Sequence, residues 1–426
     1  MRLWGERLGA VSLARGDEFA RFQYAPEFLS RGPEVAPLTM PLRADAYSFP
    51  ALARESFDGL PGLLADALPD RYGHALIDAW LARQGRSPDS FDAVERLCYV
   101  GRRAMGALEF EPAQGPDPSA DDVVQVAELA ELAAEILAQR ENLSGSLGEG
   151  KRRKALEQIL RVGTSAGGAR AKALVALDPA TGEVRSGQLE LKPGFEHWLI
   201  KFDGVDDSSR DLGSGQGYGR IELAYARMAG RAGIEMSECR LLSESDRSHF
   251  MTRRFDRLKD GSKLHMLSLA GMAHLDFNQP GANAYEQAFG VIRSLSLPRD
   301  DVTQQFRRMA FNVIARNQDD HVKNIAFVMD PDGRWRLSPA FDVAYAYNPR
   351  GRWTAQHQMS INGKRAGHEP EDFRAVGRLA SMKRGEPERI VGEVVEAVTA
   401  WPEIAAEAGV VEERIESIGA SHRVQL

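Results

Sequence analysis

Cysteine and long apolar runs are both scarce in this chain of 426 residues. Only Cys98 and Cys239 occur, which is too few for a disulfide framework, so we expect a reducing compartment. No apolar run approaches the ~18 residues of a membrane-spanning helix, and the N-terminus lacks the continuous apolar segment of a secretion signal. The sequence therefore predicts a cytoplasmic protein with no membrane partner.

An excess of positive charge is also missing. The formal net charge is −7 and the isoelectric point is about 5.8, which argues against coating nucleic acid through an overall basic surface. The composition does not exclude a local basic patch. With 43% hydrophobic and 27% charged residues the composition is that of an ordinary globular protein, and the length favours two or three subdomains.

Proline, glycine and the change in periodicity divide the chain into three predicted domains. Residues 1–115 are predicted to be β-rich with one helical insertion, and they end near a Pro/Gly/Ser linker. Residues 116–256 mix strands with helices, and residues 257–426 are mainly helical by periodicity. This order predicts an α+β fold with two lobes, a mixed α/β N-lobe and a mainly helical C-lobe.

Within the first domain the pattern predicts three local structures. Residues 3–4 and 11–13 flank a turn and are predicted to pair as a hairpin. Residues 60–83 have helical spacing interrupted at Pro69. Residues 98–110, CYVGRRAMGALEF, are predicted to form a strand, a glycine turn and a second strand.

The densest polar cluster ends an apolar helical run at residues 311–324, FNVIARNQDDHVKN. Asp319 and Asn324 stand five residues apart, as the base and the metal-binding amide do in the catalytic loop of phosphoryl-transfer enzymes. A predicted strand–turn–strand then leads to Asp342 in SPAFDVAY. The pattern indicates phosphoryl transfer, with Asp319 as the base and with Asn324 and Asp342 as Mg²⁺ ligands.

Three neighbouring side chains are assigned from their positions in the same stretch. Asp320 competes with Asp319 for the role of base, and the spacing to Asn324 favours Asp319. Lys323 is assigned to neutralising the transferred phosphate. His321 is assigned to the cofactor side, where it supports the loop by hydrogen bonding.

A lysine interrupts the strand-like apolar run EHWLIKF at residues 196–202. A buried lysine is costly unless it pairs with an anion, so we expect Lys201 to contact the phosphates of ATP and a helix glutamate. Glu222, at the start of the helical run 221–233, is the predicted partner. The alternative is an edge-strand lysine that reaches solvent.

Two further segments suit a nucleotide. In residues 163–168, GTSAGG, Gly167 and Gly168 leave backbone N–H groups open to an anion, although the Lys-Ser/Thr pair of a Walker A loop is absent. Lys172 follows, placed to complete a phosphate cradle, and Ser165 is an exposed hydroxyl that is a candidate for phosphorylation. Residues 250–256, FMTRRFD, are predicted as a hinge that contacts adenine.

Taken in order, the segments GTSAGGARAKALVAL, HWLIKFD, TRRFDR, NVIARNQDDHVKN and SPAFDVAY resemble the HipA family of serine/threonine kinases, toxins of bacterial toxin–antitoxin modules. LPDRYG at 68–73 and YVGRRAMGALEF at 99–110 resemble the N-terminal subdomain of that family. The resemblance implies a two-lobed kinase-like fold with an extra N-terminal subdomain. It also implies ATP- and Mg²⁺-dependent phosphorylation of a protein serine or threonine.

The resemblance carries roles onto individual residues and partners. Asp319 matches the base, Asn324 and Asp342 the metal ligands, Lys201 the ATP lysine, and Arg253 to Phe255 the hinge. Ser165 matches a loop serine whose autophosphorylation inactivates family members. The implied partner is a small helix-turn-helix antitoxin through which DNA is contacted indirectly, and the family's best-known substrate class is an aminoacyl-tRNA synthetase.

Two other functions stay open. A metal-dependent phosphohydrolase or nuclease would use Asp319, Asp320, His321 and Asp342, and it would leave Lys201 and the glycine loop without roles. A catalytically silent corepressor that holds an antitoxin on DNA would bind the partner without nucleotide.

Overall fold

The computed structural model describes residues 1–69, 71–116, 126–138, 159–160, 170–187, 191, 194–205, 217–244 and 247–426. The strands are β1 Arg2–Leu3, β2 Glu6–Arg7, β3 Gly9–Ser12, β4 Arg21–Tyr24, β5 Leu108–Glu109, β6 Lys172–Leu177, β7 Val184–Ser186, β8 Glu196–Lys201, β9 Cys239–Glu244, β10 Arg247–Arg253, β11 His265–Ser268, β12 Asn283–Ala284, β13 Ala326–Met329, β14 Trp335–Leu337 and β15 Met359–Ser360.

The helices are α1 Pro26–Arg31, α2 Arg54–Phe57, α3 Gly62–Ala65, α4 Arg71–Arg83, α5 Ala93–Val100, α6 Val126–Ala138, α7 Tyr218–Arg231, α8 Leu269–Ala273, α9 Tyr285–Ser294, α10 Arg299–Ile314, α11 Pro370–Leu379, α12 Glu386–Thr399, α13 Trp401–Glu407 and α14 Glu412–Ser421. Short 3-10 turns occur at Pro88–Ser90 and Val322–Asn324. In the ranges that the structure describes, no helix combines the length and apolarity needed to cross a membrane.

The first strands pair differently from the prediction. Trp4 and Gly5 both have positive φ, so the chain reverses at once and β1 pairs with β2 rather than with residues 11–13. β3 pairs instead with β4, with Val11 opposite Phe22. The predicted hairpin between residues 3–4 and 11–13 is therefore wrong, because the turn is two residues long.

The predicted strand at the start of residues 98–110 is also wrong. Asp92 accepts a hydrogen bond from the Glu95 N–H, the Glu95 carboxylate accepts from the Asp92 N–H, and this capping box begins helix α5. The helix ends at Gly101, whose φ is +56°. Only β5 remains as a strand in this segment, and it pairs with β1. The helical run broken near Pro69 is confirmed by α3 and α4.

An antiparallel sheet with the order β7-β6-β8-β10-β9 forms the N-lobe. Its register places Lys172 opposite Lys201, and Lys201 opposite Phe250. Helix α7 packs against β10, and its Gly219 lies so close that an added Cβ would sit 2.1 Å from the Ser248 carbonyl oxygen. The close approach of α7 places its Glu222 beside Lys201, the last residue of β8.

The C-lobe is built around α10, whose Phe306 and Phe311 are fully buried. β11, β13 and β14 form a small sheet beside it, which confirms the predicted strand–turn–strand after residue 324. Arg316 has φ +59° and ends the helical run, so the polar stretch that follows leaves the helix axis and meets residue 346 in a parallel bridge.

The predicted α+β fold with two lobes is confirmed. One continuous apolar core joins residues of the first 111 positions, such as Phe22, to α7 and to α10, while a second core lies under the N-lobe sheet. The N-terminal region therefore shares a core with the C-lobe. The division at residues 115 and 256 stays a proposal.

Candidate active site

A cleft of about 1210 Å³, its solvent-open mouth included, lies between the N-lobe sheet and the C-lobe. Side chains that the sequence separates by more than 140 residues line it together, among them Lys201 and Asp342. The N-terminal region contributes Leu63, Met105 and Leu108 to one wall. The cleft thus collects groups from all three regions of the chain.

Lys201 lies at the end of β8, and its Nζ donates to the carboxylates of Glu222 and Asp342. Lys201 is 9% exposed and Glu222 is 1% exposed, so this is a buried charge cluster. Burial by itself would lower the pKa of Lys201, but Asp342 and Glu222 outweigh it and raise that pKa. The structure therefore joins the predicted strand lysine, its predicted helix partner and the predicted metal ligand.

The carboxyl group of Asp342 stays ionised for the complementary reason. Burial would raise its pKa, but Lys201 and then Lys172 outweigh this and hold the pKa well below its usual range. Asp342 has φ +56°, a left-handed conformation that is strained for an aspartate and typical of functional sites. An ionised carboxylate at this position is available to a cation.

Arg170 belongs to the same cluster, although no role was predicted for it from the sequence. Its guanidinium lies 3.6 Å from Glu222 and stacks over the ring of Tyr218 at 3.3 Å. Lys172, which is 1% exposed, faces the cleft two residues later. Three cationic and two anionic side chains give the cluster a net positive charge, which suits an anionic ligand. The alternation of basic residues in ARAKAL was the available signal.

Asn324 and Asp342 both line the cleft. The Asn324 side-chain N–H₂ donates to the Asp319 carbonyl at 2.8 Å, so its oxygen is the atom left for a cation. One carboxylate and one amide oxygen beside a phosphate site fit Mg²⁺, which takes few protein ligands and completes its shell with phosphate and water. Groups of three His, Cys, Asp or Glu side chains able to hold a metal ion do not occur in the described part of the chain.

Asp319 and Asp320 are neighbours with opposite surroundings. Asp320 is buried, and it accepts hydrogen bonds from the Tyr285 hydroxyl, from His357 Nδ1 and from the Gln358 N–H, each at 2.8 Å. Burial would raise the pKa of Asp320, but His357 and these hydrogen bonds lower it. Because its oxygens are taken, Asp320 positions the loop.

The Asp319 side chain is 53% exposed and has none of these contacts. This leaves its carboxylate open to an incoming hydroxyl. The four-residue metal cluster of the phosphohydrolase hypothesis loses Asp320, so the geometry gives that hypothesis no support. Tyr285 and His357 carried no sequence signal, because they lie 35 and 37 residues from Asp320 along the chain.

His321 and Lys323 both line the cleft. His321 Nε2 lies 3.9 Å from the Asp319 carboxylate, beyond hydrogen-bond distance, and its Nδ1 is buried without a hydrogen-bond partner among the described residues, so the predicted support of the loop by hydrogen bonding is not seen. The Lys323 Nζ lies 4.6 Å from the centroid of the Phe277 ring, a cation–π contact that holds the ammonium at the cleft edge.

The predicted hinge residues lie at the cleft, but some of their side chains and backbone N–H groups already have partners within the protein. Arg253 forms ion pairs with Glu196 at 3.1 Å and Glu238 at 3.5 Å. Its backbone N–H donates to the Glu238 carbonyl, and the next N–H, that of Arg254, donates to the His197 carbonyl. These two N–H groups are therefore unavailable to adenine. Phe255 lines the cleft too, with its ring 5.7 Å from that of Phe341.

A second buried charge cluster fastens the N-terminal region to the hinge. Asp256 pairs with Arg254 at 2.6 Å and with Arg257 at 2.7 Å, and it also accepts the Gly106 N–H at 2.7 Å. Gly106 has φ +75°, and an added Cβ would sit 2.8 Å from the Met266 nitrogen. This contact brings Met105 into the cleft wall, and no sequence motif predicted it.

The predicted glycine-loop residues Ser165, Gly167 and Gly168 lie outside the described residues. Their roles stay predictions.

Comparison with known proteins identifies the family. Residues 1–111 match the HipA N-terminal domain, and residues 164–401 match the HipA-like C-terminal domain. The chain belongs to the HipA family. Lys201, Glu222, Asp319, Asn324 and Asp342 all fall within the part that matches the C-terminal domain of HipA.

A solved HipA has the same fold. The Shewanella oneidensis MR-1 HipA, in a complex with HipB and operator DNA, aligns over 97% of this chain and 92% of its own with a TM-score of 0.66 and 16% identity. A Helicobacter pylori proinflammatory kinase, CtkA, aligns over 60% of this chain and 90% of its own with a TM-score of 0.36 and 10% identity. A search of curated proteins by sequence gave no significant match. The predicted family is confirmed, and so is the HipA fold.

Proposed function

We propose that this HipA-family chain is an ATP- and Mg²⁺-dependent serine/threonine protein kinase that acts as the toxin of a toxin–antitoxin system. The observation that carries the proposal is the contact of the Lys201 Nζ with both Glu222 and Asp342 inside the cleft. A strand lysine, a helix glutamate and a loop aspartate in this relation are the parts that phosphoryl transfer from ATP requires.

Binding and charge neutralisation are assigned to the buried cluster. Lys201, Lys172 and Arg170 bind the phosphates, while Asn324 and Asp342 hold Mg²⁺, which neutralises charge on the phosphates when it is bound. Without nucleotide, Lys201 and Asp342 neutralise each other. Bound nucleotide would give Lys201 a phosphate oxygen as a partner and bound Mg²⁺ would give Asp342 a cation, so both of these buried charges would stay paired.

The transfer step is assigned to the polar stretch at the end of α10. Asp319 accepts the proton of the attacking serine or threonine hydroxyl, whose oxygen forms a bond to the γ-phosphorus as the bond from that phosphorus to the β–γ bridging oxygen breaks and ADP leaves. Lys323 neutralises the transferred group. Asp320, held by Tyr285 and His357, keeps the Asp319 backbone in place.

The proposal also includes a mode of regulation and a substrate class. Autophosphorylation of Ser165 would place a dianion on a loop that binds phosphates, and the mutual repulsion would inactivate the enzyme. For the cellular substrate we carry over an aminoacyl-tRNA synthetase from the family resemblance.

An antitoxin is the proposed partner. The Shewanella HipA was solved with HipB and operator DNA. We extend this arrangement to the present chain, with a small helix-turn-helix antitoxin that contacts the DNA. A net charge of −7 suits indirect contact, because a negatively charged surface is repelled by the DNA backbone.

Labelled ATP and Mg²⁺ test the proposal through Asp319→Asn. The substitution removes the proton acceptor but keeps the shape, so we expect phosphate transfer to a lysate protein or to the chain itself to fall about 10²- to 10⁴-fold. ATP affinity measured by calorimetry should stay near that of the wild type. The matched control is Asp332→Asn, an exposed aspartate on the β13–β14 turn that should transfer phosphate normally. Unchanged transfer by Asp319→Asn would refute the assigned base.

A further inference from the structure

The segment that follows Asp342 has an unusual charge pattern. Residues 343–368 contain Arg350, Arg352, Lys364 and Arg365 but no aspartate or glutamate. The chain as a whole carries 61 acidic residues in 426, which would place about four in a segment of this length. A positive segment in a chain of net charge −7 is the kind of local patch that overall composition hides.

Residues 346–358 of this segment are hydrogen-bonded at both ends to residues 311–324, the stretch that contains Asp319 and is called the catalytic stretch below. The Ala346 N–H donates to the Arg316 carbonyl at 3.1 Å, and the Gln318 N–H donates to the Ala346 carbonyl at 3.2 Å. At the other end, His357 and Gln358 donate to the Asp320 carboxylate. Residues 346–358 therefore form a closed loop that starts and finishes beside Asp319.

The length of the loop limits how far its tip lies from the catalytic stretch. Arg350 is four residues from Ala346, and Arg352 is five residues from His357. At no more than ~3.4 Å per residue, their Cα atoms lie within about 14 and 17 Å of those anchors. An extended peptide that spans the same distance has about five residues.

Hydrogen bonds within the loop define its tip. The Arg350 N–H donates to the Asn348 side-chain oxygen at 3.0 Å, and the Gly351 N–H donates to the Asn348 carbonyl at 2.9 Å. The side chain of Arg352 lies 5.0 Å from the centroid of the Trp353 ring, which is 37% exposed for a large apolar group. The tip thus presents two guanidinium groups and an indole on one short turn.

The two arginines at the tip differ from the other cations of the segment. Lys364 pairs with Glu369 and Asp372, and the Arg365 Nε donates to the His357 carbonyl. Arg350 and Arg352 are exposed, and neither forms an ion pair with a carboxylate within the described ranges of the chain. Among the described residues, no carboxylate neutralises these two guanidinium groups.

We propose that residues 350–353 dock an acidic stretch of the protein substrate beside its acceptor serine or threonine, an inference that rests on the proposed kinase function. Guanidinium groups match carboxylates in planar, two-pronged hydrogen bonds, and the indole of Trp353 covers apolar atoms of the same peptide. The loop length places the acidic residues within about five positions of the acceptor. A nucleic-acid strand fits less well, because its repeated phosphates meet the negative charge of the rest of the surface.

Peptides with a central serine test the proposal when aspartate, glycine or lysine fills the flanking positions. We expect the wild type to prefer the aspartate-flanked peptides. The double substitution Arg350→Glu and Arg352→Glu should lower kcat/KM for these peptides at least about tenfold, chiefly by raising KM, because two attractive contacts become repulsive. The same variant should gain activity on lysine-flanked peptides, a reversal that a merely structural role would not produce.

Two matched variants serve as controls for that result. Arg7→Glu with Arg15→Glu makes the same charge change at exposed arginines of the N-terminal region and should keep the wild-type preference. Arg350→Lys with Arg352→Lys keeps the charge and should retain most of the preference. Equal kcat/KM of the wild type and the double glutamate variant on aspartate-flanked peptides would overturn the proposal.

Other outcomes separate this inference from the proposed function. A wild type that neither hydrolyses ATP nor transfers phosphate to any peptide sinks the kinase function itself. A wild type that turns over ATP but does not distinguish aspartate from lysine flanks overturns only the docking surface. Binding of a single-stranded oligouridine, measured by fluorescence anisotropy and lost in the double glutamate variant while peptide kinetics stay unchanged, would assign the surface to nucleic acid instead.

Discussion

Two buried charge clusters, one in the cleft and one at the hinge, are built in opposite ways. In the cleft cluster a lysine, Lys201, stands between two carboxylates, and the side chain of one of them, Asp342, is still 28% exposed. In the hinge cluster a carboxylate, Asp256, stands between Arg254 and Arg257 and is completely buried. The cleft cluster is therefore partly open to the cleft, and the hinge cluster is sealed from solvent.

We infer that the cleft cluster serves the proposed reaction and that the hinge cluster serves assembly. Asp256 also accepts the Gly106 N–H, and Arg257 donates to the Gly106 carbonyl at 2.8 Å. The hinge cluster therefore connects the N-terminal region to the hinge. The cleft cluster is completed by Arg170 and Lys172, whose positive charge suits phosphate. We expect substitutions in the hinge cluster to affect stability most and those in the cleft cluster to affect activity most.

Asp256→Asn should give the largest effect. It leaves two buried guanidinium groups without their carboxylate, and breaking a buried ion pair in this way costs about 3–5 kcal/mol. The free energy of unfolding from urea denaturation measures the loss. Asp332→Asn, which affects only an exposed pair with Arg334, should change it by less than about 1 kcal/mol. A stability equal to that of the wild type would mean that the hinge cluster does not hold the two regions together.

Lys201→Met should lower activity more than stability. Phosphate transfer should fall about 10²- to 10³-fold, because a fixed positive donor at the phosphates is lost. The loss of stability should be smaller than for Asp256→Asn, since Glu222 keeps Arg170 and Asp342 reaches solvent. Transfer assays and urea denaturation on the same preparations measure both, with the exposed Lys259→Met as the control. A variant that transfers phosphate normally would break the comparison.

Acid should destabilise the fold beside the hinge cluster, at His197, before it affects the cleft. Burial, followed by Arg254 and Arg257, lowers the pKa of His197 to about 4. Because this is below the ~6.5 of an unfolded histidine, the folded state resists protonation, and stability is lost as the pH falls from about 6.5 towards 4. The loss should reach about 1–2 kcal/mol at pH 5, allowing for partial exposure of the ring.

His197→Gln isolates that contribution. The difference in unfolding free energy between the variant and the wild type should change by about 1–2 kcal/mol between pH 7 and pH 5, with the variant losing less. Other buried histidines, such as His265 with its pKa lowered to about 4, remain in both proteins and cancel in the difference. The pKa of Asp342 is lowered and that of Lys201 is raised, so these two groups should not titrate in this window. Equal pH slopes for the two proteins would contradict the assignment.

Local sequence patterns predicted most residues of the candidate site but not the tertiary contacts that hold them in place. The apolar strand interrupted by Lys201 and the five-residue spacing from Asp319 to Asn324 are visible in the sequence, because side-chain alternation and loop spacing are short-range properties. The contacts of Asp320 with Tyr285 and His357, and of Asp256 with Gly106, join residues that are 35 to 150 positions apart. Such contacts leave no periodic trace in a single sequence.

The errors at the N-terminus have a similar physical origin. A capping box between Asp92 and Glu95 turned an expected strand into helix α5, and two positive φ angles turned an expected long hairpin into a tight one. In both places a few backbone hydrogen bonds decided between conformations of similar propensity.

The amino-acid sequence alone was enough to predict the two-lobed α+β class, the HipA resemblance and the chemical types of the side chains at the cleft. Tertiary structure decided which of two adjacent aspartates is free, because only Asp320 meets three donors. It also decided which buried charges are sealed, because packing of the N-terminal region covers Asp256 and leaves Asp342 facing the cleft. Residue type sets what a group can do, and its neighbours in space determine whether it is available to do it.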